Sequence, residues 1–299
     1  MRVGAADGVL LVAHGTVSDL DDLPAFLARI RHGRPAPPGL LADLRRRYEA
    51  VGGSPLLELT RAQASALGRR LGLPVLAGMR LWNPSVEDAL RGAAHLGIQR
   101  LVVLPRAPFS VSVYWQAAQR SLESVRAELG ARAPKLVPVP AWGEEPSFIE
   151  AHAEVIRTHG GDSAECELLL SAHSLPLVAI RGGDRYQAEV EACARAIGAR
   201  LSRPYRVVYQ SQGADGGEWL GPDLHAVLRT CQAEGKRRIV LAPFGFLADH
   251  VETLYDLDVE ARGWAEELGL SLERVPALNT DERFIAALAN VAERALANC

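Results

Sequence analysis

Two distant stretches of the chain share one layout. Val9-Leu10-Leu11-Val12-Ala13 is continuously apolar and runs into His14-Gly15-Thr16, and Glu167-Leu168-Leu169-Leu170-Ser171-Ala172 runs into His173-Ser174. A short apolar run without alternation is a strand buried on both faces, and such strands belong to parallel sheets covered by helices. A second echo follows in the same order: Gly97-Ile98-Gln99-Arg100-Leu101-Val102-Val103-Leu104-Pro105 is matched by Gly235-Lys236-Arg237-Arg238-Ile239-Val240-Leu241-Ala242-Pro243. Two echoes in register predict an α/β chain of two similar Rossmann-like halves, each a parallel sheet flanked by helices. The halves are expected at 1–145 and 146–299. In such sheets ligands bind beyond the carboxyl ends of the strands, so the cleft between the halves is the expected site.

Between the strands the pattern is helical. Asp19 to Pro24 starts a helix that stops near Arg31-His32-Gly33, and Leu40 to Tyr48 is an amphipathic helix ending at Gly52-Gly53-Ser54-Pro55. Helices over Thr60–Leu71, Ser85–Leu96 and Pro146–Thr158 and strands over Pro74–Met79, Arg100–Leu104 and Val137–Pro140 continue the alternation.

Charge and cysteine usage narrow the function. With 33 basic against 36 acidic residues there is no electrostatic case for a nucleic-acid partner. Cys166, Cys193, Cys231 and Cys299 are dispersed, with no C-x-x-C pair, which argues against a zinc knuckle or an iron–sulfur motif and for a reduced cytoplasmic protein. The start of the chain, Met1 to Gly8, lacks the pattern of a signal peptide, and no apolar run is long enough to span a bilayer. Gly-x-Ser-x-Gly, the Gly-x-x-x-x-Gly-Lys loop and a Gly-x-Gly-x-x-Gly after the first strand are all absent.

One row of carboxylates remains. In Ala248 to Glu260, Glu252, Asp256 and Glu260 fall at i, i+4 and i+8 of a helix. Like charges at that spacing cost roughly a few tenths of a kcal/mol per pair, so the row faces water, pairs with bases or carries cations. His173, at a strand end in the same half, joins Glu252 as a neutral imidazole beside a carboxylate. That pair suits proton abstraction near neutral pH, or a borderline divalent metal such as Fe²⁺, Co²⁺ or Zn²⁺.

Ser171-Ala172-His173-Ser174-Leu175-Pro176, Trp219-Leu220-Gly221-Pro222-Asp223 and Gly245 to Asp258 resemble the signatures of the ferrochelatases. The likeness extends to Ile30-Arg31-His32-Gly33-Arg34-Pro35, to Arg47-Tyr48-Glu49-Ala50-Val51-Gly52-Gly53-Ser54-Pro55 and to Gly78-Met79-Arg80-Leu81-Trp82-Asn83-Pro84, so it covers nearly the whole chain in order. The resemblance implies insertion of Fe²⁺ into a porphyrin in heme biosynthesis, with iron as a substrate and His173 and Glu252 as the metal-site and proton-accepting pair. Arg31, Arg47, Tyr48 and Ser54 match the short coproporphyrin-type branch, which implies binding of the propionates of coproporphyrin III, with protoporphyrin IX as the other candidate. Trp219 is expected as an apolar wall against the ring or as core. Asp256 and Glu260 read as an outward path for the cation, more solvated than Glu252.

This chain departs from that branch in places. His14 stands in Ala13-His14-Gly15-Thr16 where the branch has Tyr, making a nitrogen the expected axial ligand to product iron. Gly143 replaces an aromatic, Arg185 replaces Pro in Gly183-Asp184-Arg185-Tyr186, and Leu104 to Ser110 is irregular. Some relatives carry a [2Fe–2S] cluster, but the cysteine spacing here does not match and none is expected. A monomer with transient contacts to neighbouring heme-pathway enzymes is the expected state. Two rival functions remain: a cobalt or nickel chelatase of a sirohydrochlorin-like ring, and a non-catalytic tetrapyrrole or heme carrier.

Overall fold

The computed structural model describes residues 6–213 and 216–298; Cys299 and the residues before Ala6 lie outside the described residues. Among the described residues eight strands form two sheets of four. β1 (Asp7–Ala13), β2 (Val75–Met79), β3 (Arg100–Pro105) and β4 (Lys135–Val137) lie in the order β2-β1-β3-β4. β5 (Glu167–His173), β6 (Arg206–Gln210), β7 (Arg238–Ala242) and β8 (Ser271–Arg274) lie in the order β6-β5-β7-β8. Every pairing is parallel, and the two orders are the same topology met twice. This is the pair of Rossmann-like halves that the sequence echoes predict.

The apolar runs are the central strands. Val9 pairs with Val75 on one side and Val102 on the other, and Val9 to Val12 have no exposed surface. In the second sheet Leu169 lies between Arg206 and Leu241, and His173 at the strand end is opposite Gln210. Both central strands begin on a carboxylate held by cations: Asp7 accepts two bonds from Arg100, at 2.7 and 2.8 Å, and Glu167 pairs with Arg206 and Lys236. Two parallel bonds to one guanidinium fix the register of β1 against β3 as well as its charge.

The helices are α1 (Leu23–Ile30), α2 (Leu40–Ala50), α3 (Leu56–Leu71), α4 (Val86–His95), α5 (Val111–Leu129), α6 (Pro146–Thr158), α7 (Leu177–Arg181), α8 (Tyr186–Leu201), α9 (Leu224–Ala233), α10 (Arg262–Glu267) and α11 (Glu282–Ala297). Asp19 caps as expected, but it opens a single 3₁₀ turn, Leu20–Asp22, from which α1 continues. β4 lies two residues before the expected Val137–Pro140. Pro138 has no N–H to donate, so the ladder with β3 ends at Val137. α5, of 19 residues, runs where the sequence reading placed no element.

The chain forms two compact units that are each discontinuous in sequence. The first comprises Met1–Ala36, Leu56–Glu145 and Thr280–Cys299, and the second Pro37–Pro55 and Pro146–Asn279. The last helix, α11, thus packs on α3 and β3 of the first unit, and α2 packs on the helix that follows β7 in the second. Among the described residues no helix is long and apolar enough to cross a membrane.

Candidate functional site

His173 is the last residue of β5, and its imidazole is fixed by what it touches. Nδ1 lies against the Ser174 carbonyl oxygen, which can only accept, so Nδ1 carries a proton in either form of the ring and Nε2 is the nitrogen that titrates. Nε2 lies 3.6 Å from Glu252 Oε2. The backbone here is held from two sides. Tyr186 Oη donates to the His173 carbonyl at 2.8 Å, and Ser174 N–H donates to Gln210 O at 2.7 Å. Arg185 is the residue before α8 with φ −82°, so the departure from Gly-Asp-Pro-Tyr leaves this Tyr contact in place.

A second imidazole shares the carboxylate. His250 Nε2 lies 3.3 Å from Glu252 Oε2, and the Phe246 ring packs between the two imidazoles, 6.2 Å from His173 and 5.2 Å from His250. His250 was not singled out from the sequence. Its only signal was its place two residues before Glu252, and His-x-Glu alone does not say that a loop will turn both side chains inward.

Burial pushes the Glu252 carboxyl up, but the charge and hydrogen bond of His173, joined by those of His250, hold it well below the usual carboxylate range. Burial pushes His173 down, and Glu252, with smaller contributions from Ser174 O and Asp256, brings it above the ordinary imidazole value. The pair therefore presents an ionised carboxylate beside a titratable imidazole. Among the described residues no group of three His, Cys, Asp or Glu is arranged to hold a metal.

The acidic row lies on a π-helix, Thr253–Ala261, with Glu252 at its start. Its wider i→i+5 turns alter the α-helical spacing, the adjustment that often marks functional segments. Arg274 ties down both ends: Nη1 donates to Asp249 Oδ1 at 2.8 Å and Nε to Asp258 Oδ1 at 3.0 Å. Asn279 completes the clamp by donating to Asp249 Oδ2 at 2.9 Å.

Burial along the row differs from the sequence expectation. The Glu252 side chain is 41% exposed, Asp256 8% and Glu260 28%, so Asp256 is the buried member rather than part of a solvated outer path. The cause is α2, distant in sequence. Arg47 Nη1 donates to Asp256 Oδ1 at 2.7 Å and Nη2 lies 3.6 Å from Glu260, while Ser211 Oγ donates to the other Asp256 oxygen. Burial first, and then the charge of Glu252, push Asp256 up to about 6 against the opposing effects of Ser211 and Arg47. A cavity of about 140 Å³ opens beside these groups, lined also by Gln210 and Trp264.

The remaining expected residues are placed as follows. Arg47 also donates to Asp43 and lies over the Tyr255 ring, so its guanidinium is engaged by three carboxylates and a phenol. Tyr48 is buried. Ser54 follows two glycines at φ 72° and 100°, a turn only glycine adopts without strain, and its hydroxyl is buried with no partner. Trp219 is half-buried and bridged to Pro176, three residues from His173, with its ring over Gly213. Arg31 closes the loop after α1 by donating to Pro35 O at 3.0 Å. In the first unit His14 Nδ1 lies 3.2 Å from Arg80 Nη2. Arginine can only donate, so Nδ1 accepts and the neutral ring carries its proton on Nε2.

Comparison with known proteins gives a consistent answer. The family model described as Ferrochelatase matches residues 6–296. The chain is 37% identical to the ferrochelatase of Deinococcus radiodurans, over 96% of this chain and 95% of that one. It is 36% identical to the coproporphyrin III ferrochelatase of Geobacillus thermodenitrificans, over 97% and 96%. Among solved structures it resembles SirB from Bacillus subtilis with Fe³⁺, with a TM-score of 0.62 over 98% of this chain and 96% of that chain; at 11% identity this is a likeness of fold.

Proposed function

The chain belongs to the ferrochelatase family, and from that premise we propose that it inserts Fe²⁺ into a porphyrin, with coproporphyrin III as the preferred ring. The observation that carries this reading is the imidazole–carboxylate pair at the end of β5, with His173 Nε2 3.6 Å from Glu252 Oε2. Insertion exchanges two pyrrole N–H protons for one ferrous ion, so the site must accept protons and hold the ion only in passing. Glu252, kept ionised, and His173, whose Nε2 takes up and gives up a proton beside it, do both. The pair of His173 and Glu252 falls short of the closed four-ligand set of a structural metal site, which favours release into the ring.

In this reading Asp256 and Glu260 receive the incoming cation, and Arg47 neutralises them until it arrives. Arg31, Tyr48 and Ser54 are the proposed propionate partners, with Arg47 joining them only by leaving its carboxylates, and Trp219 is the proposed apolar wall. Ligation of product iron by His14 requires its contact with Arg80 to open, because the tautomer set by Arg80 offers a donor at Nε2. A cytoplasmic lyase acting as a monomer, without an iron–sulfur cluster, completes the proposal.

The test is anaerobic absorbance of the purified protein with Fe²⁺ and either coproporphyrin III or protoporphyrin IX. Turnover with a preference for coproporphyrin III supports the reading. Tight heme binding without insertion makes the protein a carrier, and no turnover here but insertion of Co²⁺ or Ni²⁺ into sirohydrochlorin, assayed in parallel, makes it a chelatase of that ring.

A further inference from the structure

The first unit has its own group of polar side chains beyond the carboxyl ends of its sheet. Arg106 directly follows β3, and its backbone N–H donates to Val12 O at 2.7 Å. The residue is 9% exposed, yet its guanidinium meets no carboxylate among the described residues: Nη1 donates to the Thr60 hydroxyl, and Nε is buried with no partner. Thr60 in turn donates to Leu56 O at 2.6 Å. Burial pulls the Arg106 pKa down to about 10, which leaves it protonated at neutral pH.

Arg80, just past β2, repeats the pattern. Its guanidinium lies 5.5 Å from the centre of the Tyr114 ring, one nitrogen donates to His14, and Nε is again buried with no partner. Arg80 N–H donates to Ala13 O at 2.8 Å as Arg106 N–H does to Val12 O, so the two cations leave the sheet on either side of the end of β1, with Tyr114, in the first turns of α5, under Arg80. The positive end of that 19-residue helix has no side-chain cap from Ser110. Elsewhere the buried or half-buried guanidiniums of Arg47, Arg100 and Arg274 each hold carboxylates. A buried cation without a counter-ion is unfavourable, and two beside one helix N-terminus add repulsion.

We propose that Arg80 and Arg106 form an anion subsite that takes a carboxylate side chain of the tetrapyrrole. The chemistry favours a carboxylate because guanidiniums pair with it through two parallel bonds, and both free Nε–H groups can serve as one of the two. The choice of ligand rests on the ferrochelatase reading; the existence of an anion subsite does not. Arg106 falls in the irregular segment Leu104 to Ser110, so this half of the subsite belongs to the chain's own departure from the coproporphyrin-type pattern, whereas Arg80 lies in the family-like stretch Gly78 to Pro84.

The experiment compares coproporphyrin III with its tetramethyl ester, both in the same non-ionic detergent, by quenching of porphyrin fluorescence. Arg106→Met is expected to weaken binding of the free acid by about 10- to 100-fold, the range of one charge-assisted pair, and to leave ester binding unchanged. Arg106→Lys, which keeps the charge, should recover part of the loss. Circular dichroism checks the fold, and Arg80→Met at the half-buried position carries the same test if Arg106→Met does not fold. Unchanged affinity for the free acid, or an equal loss with the ester, overturns the subsite. If the wild type inserts no iron but shows the carboxylate-selective loss, the functional reading falls and the subsite stands. If iron is inserted and the variants bind as wild type, the subsite alone falls.

Discussion

Replacing Arg47 with Met removes a charge while keeping much of the side chain's length, and it tests the electrostatics of the acidic row. The contact with Asp256 is 2.7 Å. With charge centres about 4 Å apart and an effective dielectric near 20, the attraction is about 4 kcal/mol. The Arg47 side chain is 29% exposed and shared with Asp43 and Glu260, so screening brings this to about 2 kcal/mol. That loss applies at pH 8, where Asp256, pushed up to about 6, is ionised. At pH 5 about nine in ten Asp256 carboxyls are protonated and the loss falls below about 1 kcal/mol.

The sign is fixed by linkage. A carboxyl whose pKa is raised on folding favours the folded state when protonated, so its contribution grows as pH falls through about 6 toward the ordinary value of 3.8. Removing Arg47 raises that pKa further, by about one unit for each 1.4 kcal/mol lost, so the variant gains more from acidification than the wild type. Urea unfolding of both proteins at pH 8 and pH 5, followed by far-ultraviolet circular dichroism, measures the difference. An equal loss at the two pH values would falsify the assignment of Asp256 as the titrating partner.

Other substitutions probe the surrounding geometry. His173→Ala is expected to abolish metal insertion while porphyrin still binds; unchanged turnover in the absorbance assay removes His173 from the chemistry. Tyr186→Phe deletes the hydrogen bond to the His173 carbonyl, and a loss of about 1 kcal/mol in stability should accompany a fall in kcat with little change in KM for porphyrin; a rise in KM alone contradicts a positioning role. Gly245→Ala sets a methyl 2.9 Å from both Cα and Cβ of Ala172, beside His173, and should cost about 1–3 kcal/mol in urea unfolding and slow insertion; a neutral result means that β5 yields without moving the imidazole. With Arg80 held on His14, His14→Ala should leave the absorption spectrum of the iron product unchanged, and a shifted spectrum shows that the contact opens and that His14 ligates.

The central strands were legible because burial on both faces leaves an uninterrupted apolar run, as in Val9 to Ala13. The repeat was legible because in each half the first strand runs into an Ala-His pair, Ala13-His14 and Ala172-His173. α5 begins at Val111, directly after the irregular segment Leu104 to Ser110, and no capping residue of the usual kind marks its start, since Ser110 makes no side-chain cap bond. In the site, the sequence isolated His173 and Glu252 by residue type and place. It could not rank the burial of Asp256, which depends on Arg47, 209 residues away. His250 was hidden for a similar reason, since its approach to Glu252 depends on a loop closed by Thr253, Asp249 and Asn279.

The discontinuous make-up of the two units bears on how the protein is made. The first unit draws α11 from the end of the chain and the second takes α2 from near its beginning. During synthesis, then, the sheet of β1 to β4 emerges early but lacks the helix that covers α3 and β3 until Glu282–Ala297 has left the ribosome. A gene cut between residues 145 and 146 yields two fragments, each missing one helix of its own unit. Such fragments should recover a native spectrum only when expressed together, each supplying the helix the other lacks.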